Sequence, residues 1–485
     1  MNAPLQNRQI VEVAQRRDSV ATEARERLAD CQNQKTPVRT DIEECYFFAA
    51  PQRIRAGVTQ SPGASPNNSG DRFELQTSAG YEISDEFANM AISSFTPAES
   101  PWAERKPGAL TVGAETGTIE ELARAEDKKI FELIRASNFH AELGKTAVPD
   151  LSIGAVGMLI LDRHPALPII CQGIPIREIE INLGPDSRID DRFIVRNSKY
   201  RHLKAQLRDV ELPEELKKKA KDNPDQKCQI KWGWWRNWDN VGDEEWQHVV
   251  LVDDDLVHDS RLVGEGSCPF TFGRFGATPD SAWAYGPLIK SLPELRQLDE
   301  LCAAMVEHID FMLRPPKAYE DDGVLNLSGG IEPGMAYPKR ANGGREVFED
   351  IYKPQQIDAA IYDEQKVIKR IRRLHYVDFP EQRGKTPPSA TQWLDEMVIQ
   401  QQRIGTPGYS YWREFPYEVF QRFRYLGEAR GIVKRSSRAV SRWRRRIPRS
   451  ARTRTRKCRP RCDCFRLRGP CFLRRFLSPL TTCRP

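Results

Sequence analysis

The feature that most constrains this chain of 485 residues is a break at Lys434. Of the 74 Lys and Arg residues, 19 lie in 434–485, where Asp463 is the one acidic residue out of the chain's 68. That leaves 55 basic and 67 acidic residues in 1–433, so the net charge of +6 joins a body near −12 to a tail near +18. A segment so rich in like charge and so poor in apolar periodicity cannot bury enough surface to offset its chain entropy. Fold and function are therefore read from 1–433, and the tail is expected to be disordered. The overall charge would suggest a mildly basic nucleic-acid binder, which the acidic body is not.

Cysteines divide at the same place. Cys31, Cys45, Cys171, Cys228, Cys268 and Cys302 are scattered through the body without metal-ligand spacing, as free thiols of a reducing compartment are, while Cys458, Cys462, Cys464, Cys471 and Cys483 crowd the tail. No apolar run approaches the roughly 18 residues of a membrane span, and 1–17 is too polar for a secretory leader. The body is expected to be soluble and intracellular, without a membrane partner.

Periodicity gives the order of elements. Helices are expected over 4–30, over 41–50 up to Pro51, over 77–94 and over 119–148, with a Gly/Ser/Pro/Asn linker at 57–72. From about 151 the period shortens towards two, and strands are expected in 151–163, in 168–200 and as a hairpin over 246–264. After Pro287 the chain is helical again. Leu292, Leu295, Leu298, Cys302, Met305, Ile309 and Met312 form the stripe of a helix capped by Ser291, on the order of 33 Å long and stopped at Pro315. Residues 317–353 read as a compact Gly/Pro-rich insertion. A second long helix from near Pro354 carries acids early and bases late, as the macrodipole favours. The loop 376–388 follows, and then a helical stretch from Ser389 to about Ile432, kinked near Gly405, Pro407 and Gly408. The fold class is α+β and mainly helical.

Catalytic patterns are missing: there is no phosphate-cradling G-x-x-x-x-G-K-[ST] and no H-E-x-x-H. Gly264 with Gly266, and Gly273 with Gly276, read as turns. Asp253, Asp254, Asp255 and Asp259 could in principle hold Mg²⁺, but neighbouring strand residues face opposite ways and a solvated hairpin turn is the simpler reading. Trp232, Trp234, Trp235 and Trp238 have no basic track beside them and read as packing rather than base stacking. No catalytic, cofactor-binding or metal-binding residue is assigned, and the chain is not expected to be an enzyme.

What remains is an arrangement of segments. EISDEFANMAISSFTPAESPW (82–102), ASNFHAELGKTAVPDLSIGAVGMLILD (136–162), CPFTFGRFGATPDSAWAYGPLIKSLPELRQLDEL (268–301) and TPPSATQWLDEMVIQQQRIGTPGYSYWREFPYEVFQRFRYL (386–426) occur in the order found in portal, or head-to-tail connector, proteins of short-tailed bacteriophages, and the chain resembles that family over most of 40–433. The resemblance implies a phage or prophage origin and a dodecameric ring at one capsid vertex through which double-stranded DNA is packaged and ejected. It implies a wing (1–285), two stem helices within 286–375 flanking a clip (317–353), and a tunnel loop with a long kinked wing helix (376–433). Arg383 and Lys385 would lie in the DNA-channel loop. Terminase, capsid and tail adaptor proteins would be the partners, and the virion the location after assembly in the host bacterial cytoplasm. An acidic body suits a DNA channel, because each Lys or Arg contact to phosphate adds affinity and therefore friction.

Three readings of 434–485 stand beside this: a cysteine-rich Zn²⁺ site, a polycationic arm that binds nucleic acid, and translation out of frame from near Lys434. The third is preferred, because an Arg/Ser/Pro/Cys bias with no apolar periodicity and almost no acids is what out-of-frame translation of a GC-rich gene gives. The resemblance strengthens it, since the family's wing helix continues into a crown that nothing here matches. The competing functional class is a nucleic-acid-binding protein acting through the arginine-rich tail.

Overall fold

The computed structural model describes residues 3–51, 53, 75–107, 116–162, 169–207, 210–239, 244–313, 317–319, 348–350, 358–378, 403–433 and 441–445. The fold is α+β, with its sheets antiparallel throughout.

The chain opens on α1 (Ala3–Ala49), one helix of 47 residues where two were expected. Pro37 lies inside it and removes a backbone donor. Contacts on either side hold the helix through that point. Val38 is buried, and Lys35, only 5% exposed, donates from Nζ to the carbonyls of Ile176 (2.9 Å) and Ile179 (2.7 Å) and to Glu180 (3.1 Å). Helix α2 (Ala79–Phe95) and strand β1 (Ala103–Pro107) follow. The stretch expected to be helical over 119–148 is two helices, α3 (Thr116–Ala136) and α4 (Phe139–Ile153). They part at Asn138, whose amide pairs with the backbone of Cys171 through two bonds of 2.8 Å, as a neighbouring strand would.

Strands β2 (Ala155–Leu161), β3 (Ile170–Ile174) and a later β9 (Phe270–Arg274) form one sheet in the order β3-β2-β9. Strands β4 (Ile179–Leu183), β5 (Ile189–Lys199), β6 (Lys227–Arg236), β7 (Glu245–Val252) and β8 (Asp255–Val263) form a second, in sequence order. Its alternation decides which face goes where. Ile194, Trp234 and Trp246 join the main core, while Phe193, Trp235, Val249 and Leu251 pack against Ala21, Ala24, Leu28 and Cys31 of α1. Helices α5 (Tyr200–Gln206) and α6 (Glu214–Asp222), inserted between β5 and β6, close one end of the sheet around Leu203, Leu216 and Ile230.

A short α7 (Pro287–Lys290) leads into α8 (Leu292–Leu313). Ser291 does not cap α8 with its side chain as expected, because its hydroxyl donates back to the Leu288 carbonyl (3.0 Å). Strands β10 (Lys317–Tyr319) and β11 (Phe348–Asp350) pair within the segment expected to be a compact insertion, and α9 (Asp358–Leu374) is the second long helix. The final helical stretch is α10 (Gly405–Glu414) and α11 (Pro416–Ala429), broken at Phe415. Both helices contribute to the main core, through Tyr411, Trp412, Phe420 and Phe423.

One expectation about the tail needs correction. Ser441–Arg445 is not disordered but forms β12, antiparallel to β1 with Ala103 opposite Arg445 and Pro107 opposite Ser441. A strand ladder uses backbone groups, so the loss of apolar periodicity does not forbid one.

Candidate functional site

The largest feature that the core does not explain is the stalk made by α8 and α9. The two helices follow one rule: an apolar stripe that begins in the core and continues past it. On α8, Leu292, Leu295 and Leu298 are buried and Cys302 is half-buried. Val306, Ile309, Met312 and Leu313 are then 58%, 44%, 42% and 75% exposed. On α9 the sense is reversed: Ile361 and Tyr362 are exposed, while Val367 and Ile371 are buried. The buried ends are thus the start of α8 and the end of α9, so the helices run antiparallel and project from a common root. Helix α8 spans 22 residues, on the order of 33 Å.

Charged contacts fix the root. Arg296 of α8 forms a two-pronged pair with Glu44 of α1, and Arg372 of α9 reaches Glu86 of α2 at 3.2 Å. The Gln76 amide donates to Asp299 at 2.8 Å. The two helices differ in charge. Helix α8 carries Glu294, Asp299, Glu300, Glu307 and Asp310 against Arg296, whereas α9 carries Lys366, Lys369, Arg370, Arg372 and Arg373 against Asp358, Asp363 and Glu364.

Helix α9 ends in a defined stop. The Val377 amide donates to the Arg372 carbonyl (3.1 Å) and the Tyr376 amide to that of Arg373 (3.3 Å), with Tyr376 at φ +60°. This is a left-handed helix stop in which tyrosine occupies the position glycine usually takes. The Tyr376 ring packs near Phe87 and Phe275, with centroids 6.4 and 6.0 Å away, which holds the turn. His375, fully buried beside it, accepts no charge readily: burial pushes its pKa down to about 4. The chain leaves this stop into the loop expected to face DNA. Arg383 and Lys385 lie outside the described residues.

The sequence's other candidates resolve into structure. Asp253 and Asp254, at φ +49° and +74°, are the central residues of a two-residue hairpin turn closed by Val252 and Asp255. Their carboxylates are already engaged: Asp253 accepts from the Tyr200 hydroxyl (2.6 Å) and the Gln229 amide (2.9 Å), and Asp254 pairs with Lys231. Asp259 accepts from the Gln247 side chain instead. Among the described residues no group of three or more His, Cys, Asp or Glu is placed to hold a metal ion. Trp234 and Trp235 are buried on opposite faces of β6, and Trp238 donates to Asp190 at 2.8 Å. Gly264, Gly266 and Gly276 have positive φ, as turns require, but Gly273 sits within β9. There, an added Cβ would fall 2.4 Å from that of Phe415, so the glycine lets the last helical pair approach the sheet.

A cleft of about 840 Å³ opens between the rim of the five-stranded sheet and α10–α11. Two carboxylates in its wall are locked by two-pronged arginine pairs: Glu418 by Arg192 (both bonds 2.8 Å) and Glu414 by Arg274 (2.7 and 3.0 Å). Such pairs clamp the sheets to the helices, joining residues up to 226 positions apart. Among the described residues no helix is long and apolar enough to cross a membrane.

The stalk was largely legible in the α8 stripe, but Val306, Leu313 and Tyr376 were not singled out. The signal for the first two was the same three- and four-residue spacing, continued beyond Cys302. With this geometry in place, the chain can be set beside known proteins. The model of the bacteriophage head to tail connecting protein family matches residues 21–395, and the chain belongs to that family. No curated protein matches it. Among solved structures it is similar to a chain of the neck of an empty gene transfer agent (GTA) particle computed with C6 symmetry, at 11% identity and TM-score 0.41, covering 88% of this chain and 94% of that one. It is also similar to a chain of the virion of a native GTA particle, at 10% identity and TM-score 0.37, covering 81% and 87%.

Proposed function

We propose that this connector-family chain is a portal subunit, and that copies of it form a dodecameric ring at a capsid vertex through which DNA enters and leaves. The observation that carries the reading is the stalk, a pair of helices rooted in the core whose apolar stripe runs out into solvent. An apolar patch that a lone chain leaves uncovered marks an interaction site. A neighbouring stalk is the cover that fits it, because the acidic α8 of one copy complements the basic α9 of the next.

In this reading the stalk is the stem and forms the waist of the channel. Residues 317–353 are the clip that meets tail adaptor proteins, 1–285 with the last helix build the wing, and terminase and capsid proteins are the remaining partners. The acids of α8 keep phosphate at a distance, so that DNA slides instead of binding. The loop 376–388 is the tunnel loop, which brings Arg383 and Lys385 near the passing DNA. The location is the portal vertex of the virion, after assembly in the cytoplasm of the host bacterium. Mass photometry of the purified full chain tests the proposal: it predicts one high-mass species at a fixed multiple of the subunit. A stable monomer that binds DNA with a steep salt dependence overturns it in favour of the arginine-rich tail as the active part.

A further inference from the structure

Strand β1 is held from one side only by the body. The Arg105 amide donates to Asp127 Oδ2 of α3 at 2.8 Å, and its guanidinium, 2% exposed as a residue, binds Asp127 (2.7 Å) and Glu126 (2.7 Å). Trp102 and Ala103 are buried at its start. Successive amides of a strand point to opposite edges, so those of Glu104 and Lys106 face away from α3. That second edge is the one β12 occupies, with Glu104 opposite Arg444 and Lys106 opposite Arg442.

We propose that the outer edge of Ala103–Pro107 is a strand-addition site, and that its occupant is Ser441–Arg445 of the same chain, which anchors the basic arm to the body. This rests on β1 and α3 and is independent of the ring. Main-chain bonds hold the added strand, so the site asks for an extended segment and sets its direction. Pro107 lacks an amide, but at its position the nitrogen faces the α3 side, so the β12 edge keeps its donors at Glu104 and Lys106. The occupant comes from the same chain because of where α11 leaves off. Lys129 of α3 donates to the Ile432 carbonyl at 3.3 Å, two residues along the helix from the Asp127 that holds β1. From Val433 to Ser441 the chain can span up to about 28 Å, more than twice the roughly 10–12 Å diameter of a helix, so it can pass around α3 to the outer edge of β1. The anchor fixes Arg445 opposite Ala103 of β1, just before the segment that carries 13 of the tail's basic residues.

Hydrogen exchange at single-residue resolution, read by mass spectrometry, tests this on the full chain, on a chain ending at Val433 and on Arg444→Pro, which loses the amide opposite Glu104. The amides of Glu104 and Lys106 are expected to exchange about tenfold or more faster in both variants. That of Arg105, held by Asp127, should keep its protection and so reports that α3 and β1 remain folded. Equal rates for Glu104 and Lys106 in all three chains overturn the proposal. Protection in the full chain that disappears on dilution overturns the same-chain occupant, since the strand would then come from another copy. If the shortened chain fails to fold, Arg444→Pro alone decides.

Discussion

The stalk should separate stability from assembly along a single helix. Leu295 and Leu298 of α8 have no exposed surface, and truncating either to alanine should cost the isolated chain about 2–5 kcal/mol. Val306, Ile309, Met312 and Leu313 continue the same stripe with 42–75% of their surface in water. Full burial of such a side chain is worth roughly 1.5–3 kcal/mol, so the part still exposed holds about 1 kcal/mol each, or about 4–5 kcal/mol together. Glutamine at all four positions keeps helix propensity while removing this reserve. The quadruple variant should therefore unfold within about 1 kcal/mol of the parent as a monomer, yet its association should weaken by about a thousandfold. Denaturant unfolding of the dilute chain gives the first quantity, and mass photometry across a concentration series gives the second. The reasoning fails if the variant assembles like the parent, or if it loses as much monomer stability as Leu295→Ala.

Three further expectations follow from named contacts. His375 is fully buried with its pKa lowered to about 4, so the unfolded chain binds the proton more readily. Its contribution is present above pH ~6.5 and is lost as pH falls towards 4, an effect of about 3 kcal/mol that pH-dependent unfolding should register and His375→Phe should reduce. Gly266→Ala should destabilise the chain by about 1–3 kcal/mol, because φ is +76° and the new Cβ would meet the Gln421 carbonyl oxygen at 2.5 Å; thermal unfolding measures it. Arg105→Met strands the Asp127 carboxylate, 5% exposed, and should cost about 3–5 kcal/mol, with most of the loss recovered when Asp127 is also replaced by an apolar residue.

How much of this could be read in the sequence depends on the range of the forces involved. The strands of 170–199 and the hairpin of 245–263 were legible because one or both faces are buried and alternation is a local signal. The α8 stripe was legible for the same reason at helical spacing. The continuity of α1 through Pro37 was not, because Lys35 and Val38 are held by partners on distant elements, and locally QNQKTPVRT resembles a linker. Helices α5 and α6, only seven and nine residues long, were missed for want of a stripe long enough to count. The clamps Arg192–Glu418 and Arg274–Glu414 join positions more than a hundred residues apart and leave no local trace. The pairing of β1 with β12 is a matter of backbone geometry, to which composition is blind. The two stalk helices could thus be placed from sequence, while the stop at Tyr376 needed the structure, since nothing marks a tyrosine that takes a glycine's conformation.

The most direct test of the portal assignment is electron microscopy of particles assembled from the purified chain. End-on views should show closed rings around a central channel, and side views should place the α8–α9 stalks around that channel at the waist, with the sheets outside. Monomers, open filaments, or rings whose stalks point to the outer rim would contradict the account.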